Sequence, residues 1–200
     1  MATTKKRVLG RNLDRAFRFR HSLSPETDRG CALMAAAHLD DRLLTLLRGY
    51  FTNDAQLSNE LLDQSRPLGS FSARIDMACA LGLISAGTRK ELHIVRKIRN
   101  EFGHKSEPLL FTSPGISDRC RALRLHNFAP HGSPRQIFTR SVMGILAAID
   151  AVQLQVRHRR VRKDWVITEK MRRDFSARWQ RIADALGVSQ ALRKRGQPQA

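Results

Sequence analysis

No run of apolar residues in this sequence approaches the ~18 that a membrane-spanning helix needs, and no segment alternates apolar and polar side chains over the length of a strand. The three cysteines, Cys31, Cys79 and Cys120, form no C-x-x-C pair. An odd, scattered set argues against a disulfide framework or a zinc site, so they read as small buried hydrophobes in a reducing cytosol. A Gly-rich phosphate loop, a metal-spaced cluster and a Ser/His/Asp set are all missing, which leaves no cofactor or metal to expect. The start, MATTKKRVLGRNLDRAFRFRH, is Arg-rich and acid-poor in the manner of a transit peptide, but it is short of serine. No apolar segment follows it, so it does not read as a secretory signal. These absences point to a cytoplasmic, all-α protein without a membrane anchor.

Acidic residues are also scarce: 36 Lys and Arg face 18 Asp and Glu, a net charge of +18. The excess is uneven. Residues 1–20 hold 7 cations and 1 acid, residues 151–200 hold 13 and 4, and the 130 residues between hold 16 and 13. A nearly balanced core with two basic ends suggests a polyanionic partner, because neutralising phosphates releases condensed counterions. Arg157, Arg159, Arg160, Arg162, Lys163, Arg172 and Arg173 are the candidate nucleic-acid contacts. Cations at a helix C-terminus are favourable in any protein, which accounts for part of that run.

The middle of the chain is organised around TRKELHIVRKIRNEFGH, residues 88–104. Leu92, Val95, Ile98 and Phe102 recur at helical spacing, Thr88 and Glu91 read as a capping box, and Gly103 as a stop. Arg99 falls within the apolar arc at about 100° per residue. A guanidinium stays charged at ordinary pH, so that position calls for an anion or a cleft, and Asp40 or Asp41 could supply the anion. Arg99, Asn100 and His104 together offer a fixed cation, an amide and a group that titrates near neutrality.

Other helices are marked by local chemistry. Ser24-Pro25-Glu26 reads as the start of a long helix reaching about Phe51. Asn53-Asp54 to Gln64 is a short polar helix or loop, and Ser70 or Ser72 caps a helix to about Leu83. Lys105–Ile116 reads as a loop, and Ser117-Asp118 as the cap of a short helix. Ser133-Pro134-Arg135-Gln136 combines a capping box with proline at the first helical position. Thr168 opens an amphipathic helix with Met171, Phe175, Trp179, Ile182 and Leu186 on one face. Ile182–Arg195 has the outline of a helix-turn-helix, but Arg193 stands where an apolar residue should be buried. The expected fold is a compact all-α bundle of about five to seven helices. The expected organisation is a basic arm at 1–21, a helical core at 22–160, and a basic amphipathic helix with a tail at 161–200.

The stretch Arg66-Pro-Leu-Gly-Ser-Phe-Ser-Ala-Arg74, the Gly82-Leu-Ile turn and the helix ending Arg99-Asn-Glu-Phe-Gly-His104 resemble the mannitol operon repressor (MtlR) family. Leu39-Asp40 fits that family's first core helix, and the resemblance spans roughly residues 29–155. It implies an all-helical fold and transcriptional repression without a standard DNA-binding motif. The Arg99-Asn100-x-x-x-His104 element also resembles the signature of HEPN domains, many of which are metal-independent ribonucleases, often acting across a dimer. That resemblance implies Arg99 as phosphate anchor, Asn100 as orienting group and His104 as general acid or base. The basic segment 157–195 lies outside both.

Two functional readings follow. One is an MtlR-like regulator acting through nucleic acid, DNA or RNA, or through a DNA-binding partner protein. The other is a HEPN-type endoribonuclease using Arg99 and His104, with a homodimer completing the site.

Overall fold

A computed structural model describes residues 14–125 and 131–187. It is all-helical, with two compact units, Met1–Arg160 and Val161–Ala200. In the first unit α1 covers 14–23, followed by α2 (Asp28–Tyr50), α3 (Ala55–Leu62), α4 (Phe71–Ala80), α5 (Ala86–His104), α6 (Pro114–Arg121) and α7 (Pro134–Gln153). The second unit carries α8 (Glu169–Ala185). Among the described residues that makes eight helices, one more than the upper expectation. The addition is α1, in the part of the chain read as an arm.

Helix α2 is the hub, packed against α4, α5 and α7. Its buried face, from Cys31 through Leu39, Leu43 and Leu46, meets Leu92, Val95, Ile98 and Phe102 of α5 and Phe138, Val142, Ile145 and Ile149 of α7 in one core. Each such side chain contributes about 1.5–3 kcal/mol by leaving water. Phe111 sits between Phe102 and Phe138, with ring centroids 5.2 and 4.9 Å away.

Two cations are built into this core, each against an acid. Arg42 of α2 donates to Asp150 of α7 through Nε at 3.1 Å and through a second, shorter guanidinium bond. Arg74 of α4 donates to Asp40 of α2 at 2.8 Å. A third pair, Arg135 to Asp28 at 2.8 Å, ties the start of α7 to the start of α2, while the other Asp28 oxygen accepts the Phe111 N–H at 2.7 Å.

Several helix starts differ from expectation. Thr27, not Ser24, caps α2, accepting from the Gly30 N–H at 3.0 Å. Ser85, not Thr88, caps α5, accepting from the Thr88 N–H at 3.1 Å. Glu91 is buried, and its carboxylate accepts from the Arg124 and Leu125 N–H groups at 2.8 and 2.9 Å. The residue read as part of a cap thus holds the chain after α6 instead. Gly144 of α7 allows that chain to come close, since a Cβ there would collide with the Leu125 carbonyl oxygen. Helix α5 does not stop at Gly103 but runs to His104, and α6 starts at Pro114, whose fixed φ suits the first turn. The Ser133 capping box and the Thr168 cap form as expected.

Candidate functional site

The site grows from the turn between α3 and α4. The Leu68 N–H donates to the Leu61 carbonyl and the Gly69 N–H to the Arg66 carbonyl, both at 2.8 Å. Gly69 is packed so closely on the Asp63 and Gln64 carbonyls that a Cβ has no room. Ser70 then caps α4, accepting from the Ala73 N–H at 3.1 Å. One turn on, Arg74 uses three donors: Nε to the Leu68 carbonyl at 3.0 Å, one terminal nitrogen to the Leu62 carbonyl at 2.8 Å, and the other to Asp40. The Pro-Leu-Gly-x-x-Ser-x-Arg stretch is therefore a clamp: it closes a turn, caps a helix and anchors three elements through one guanidinium.

This corrects the expectation for Arg99. The buried cation held by Asp40 is Arg74, whereas Arg99 is exposed. Asp41 is exposed too and makes no ion pair among the described residues. Arg99 lies on the apolar arc by angle, but the elements opposite it present small residues and leave a gap. Ala36 and Ala37 of α2, with Gly69 and Ser70 of the turn, face Arg96, Arg99 and Asn100 of α5 across a cleft of about 700 Å³. Arg99 donates to the Asn100 side-chain oxygen at 3.0 Å. Asp40 lines the same cleft; burial pushes its carboxyl above the usual carboxylate range, against the bond and charge of Arg74 and, more weakly, the charge of Arg99.

His104 does not join this group. It is exposed at the last position of α5, and five residues of helix separate it from Arg99 by about 140° around the axis. Arg99 and Asn100 are together, and His104 points elsewhere.

The basic candidates divide between the units. Arg157 turns back onto the Val156 carbonyl at 2.8 Å beyond the end of α7. Arg159 is tied to the core: its N–H donates to the Tyr50 carbonyl at 3.1 Å and its guanidinium lies 4.8 Å from the Tyr50 ring centre. The side chains of Arg160, Arg162, Lys163 and Arg173 are exposed and make no ion pair or hydrogen bond among the described residues. Arg172 makes one exposed pair, with Glu169 at 3.2 Å. On α8, Phe175 and Trp179 stack at 6.5 Å, and no residue of the helix is buried. The suspected helix-turn-helix runs into 188–200, outside the described residues. Among the described residues no group of three or more His, Cys, Asp or Glu could hold a metal ion, and no helix is long and apolar enough to cross a membrane.

These features define the class: an all-helical bundle with a cationic cleft, and a separate unit carrying an exposed basic helix. Among solved structures, this chain is similar to one in the X-ray structure of the MtlR–HPr complex from Escherichia coli. The TM-score is 0.55 at 21% identity, over 67% of this chain and 97% of that one. The shared property at that identity is the fold. No family model matches the sequence, and no curated protein matches it.

Proposed function

We propose that this protein is a regulator of the mannitol operon repressor type, a repressor that acts on nucleic acid through its basic C-terminal segment. One observation carries the reading: the distribution of unpaired cations. Four arginines of the helical core unit are neutralised within the fold, Arg42 by Asp150, Arg74 by Asp40, Arg119 by Glu101 and Arg135 by Asp28. From Arg160 to Arg178 the chain instead presents Arg160, Arg162, Lys163, Lys170, Arg173 and Arg178 without a carboxylate partner among the described residues. Charge that is not used in folding is available to phosphates, and each phosphate neutralised adds to the salt dependence of binding. The fold's likeness to MtlR, crystallised with HPr, supports a regulatory role and a protein partner for the helical core.

The test is fluorescence anisotropy of the full chain with labelled duplex DNA and single-stranded RNA, at low and at physiological salt. The expected result is binding that weakens steeply with salt. Replacing Arg162, Lys163, Arg172 and Arg173 together by Gln should flatten the slope of log K against log salt by about one for each phosphate contact removed. Absence of binding at low salt, or an unchanged slope, overturns the proposal.

A second reading, metal-independent RNA cleavage, is favoured by the exposed Arg99, which lines a cleft and is paired with no acid among the described residues. Arg99 would hold the phosphate, Asn100 would orient it and His104 would transfer the proton. The angle between Arg99 and His104 then requires that the two come from different copies of the chain.

A further inference from the structure

We propose that the cleft between α2, α4 and α5 binds a small organic anion, a phosphate or carboxylate on an apolar body. Its volume of about 700 Å³ falls within the range of small-molecule clefts. Two guanidiniums line it, Arg96 and Arg99, three residues apart and hence neighbours along one side of α5.

Neither guanidinium is paired with an acid among the described residues. Arg99 has only its contact to Asn100, and the Arg96 Nε is shielded from solvent with no hydrogen-bond partner. The one carboxylate in the cleft, Asp40, bonds to Arg74 at 2.8 Å and to neither Arg96 nor Arg99. The Arg96 Nε itself is out of reach, so an oxyanion in the cleft would meet the terminal guanidinium nitrogens of Arg96 and Arg99.

The rest of the wall sets the ligand's other half. Leu33, Ala36 and Ala37 of α2 and Phe71 of α4 line it with apolar surface, and Ser70 and Ser72 add hydroxyls. A bare inorganic ion would leave that apolar surface unused, whereas an aryl or alkyl group attached to the anion would cover it. The site is independent of the basic C-terminal segment; it shares Arg99 with the ribonuclease reading but does not need His104, so the His104 variant separates the two.

The experiment is isothermal titration calorimetry of the full chain with phenyl phosphate, benzoate, inorganic phosphate and benzyl alcohol. Expected is binding of phenyl phosphate or benzoate, the better of the two reporting which anion is preferred. Inorganic phosphate and benzyl alcohol should bind at least about tenfold more weakly, each lacking one half of the ligand. Arg99→Gln and Arg96→Gln should each weaken binding about tenfold or more, the loss of a charged hydrogen bond. Ala37→Phe should abolish it by filling the cleft, and His104→Gln should leave it unchanged. Thermal melts by circular dichroism check folding; Arg99 and Ala37 are exposed, so their variants carry the test even where Arg96→Gln fails to fold. The proposal is overturned if neither organic anion binds, if inorganic phosphate binds as tightly, or if binding survives both Arg99→Gln and Ala37→Phe.

Discussion

The Arg74 guanidinium lies 2.8 Å from the Asp40 carboxylate while its other two donors close on the Leu62 and Leu68 carbonyls. One buried side chain therefore joins α2, the end of α3, the turn and α4. Arg74→Ala removes a cation and strands a half-buried carboxylate with two carbonyls. The expected loss is about 3–5 kcal/mol in urea unfolding. Arg74→Lys should recover little of it, because an ammonium does not span three acceptors set in a fork. A loss below about 1 kcal/mol for Arg74→Ala would show that the clamp is not structural.

His38 of α2 stacks on Phe19 of α1, with ring centroids 3.9 Å apart. Burial, and next the charge of Arg42, hold its pKa below the ordinary 6.5. The folded chain thus favours the neutral ring, and the unfolded chain takes up the proton first as pH falls through 6.5. Stability contributed here is present above that value and declines below it, until the folded pKa is reached. His38→Gln should remove this part of the pH dependence of the urea midpoint; an unchanged slope below pH 6.5 would contradict it.

Burial pushes the Cys31 thiol up to about 11 and the Cys120 thiol up to about 12. Both are fully covered, whereas Cys79 is half-buried. A thiol reagent at about pH 8 should therefore modify Cys79 alone in the native protein, since the thiolate is the reacting species. All three should react in urea. Fast modification of Cys31 or Cys120 under native conditions would show that the core around α2 and α6 opens readily.

The ribonuclease reading makes its own prediction. If Arg99 and His104 act from different copies, Arg99→Ala and His104→Ala should each be inactive on RNA alone. Mixing the two variants should restore part of the activity, because one hybrid site keeps both groups. Cleavage by either variant at the wild-type rate, or none by the wild type, removes the reading.

Local chemistry was easy to read in the sequence, and tertiary use of a residue was not. Ser133, Pro134 and Gln136 act on backbone within one turn, and the capping box formed where expected. Glu91 stands three residues after Thr88 and has the same spacing signature, yet its carboxylate serves the backbone of 124–125. The all-helical class followed from periodicity, and the likeness to the MtlR structure agrees with it. Of the anion or cleft expected for Arg99, the structure supplies the cleft; the buried cations held by acids are Arg74 and Arg42. Helical angle identifies a face; it does not say that the opposing helix offers alanines there and leaves the face open. Arg96 went unnoticed for a related reason: nothing in one sequence marks a buried nitrogen without an acceptor.

Helix α2 presents an acid to α4 through Asp40 and a base to α7 through Arg42, about 200° apart around its axis. The two neighbours carry the opposite signs in return. This makes the central helix a polarised key: rolled half a turn, it would set acid against acid and base against base, so only one rotational setting satisfies both sides.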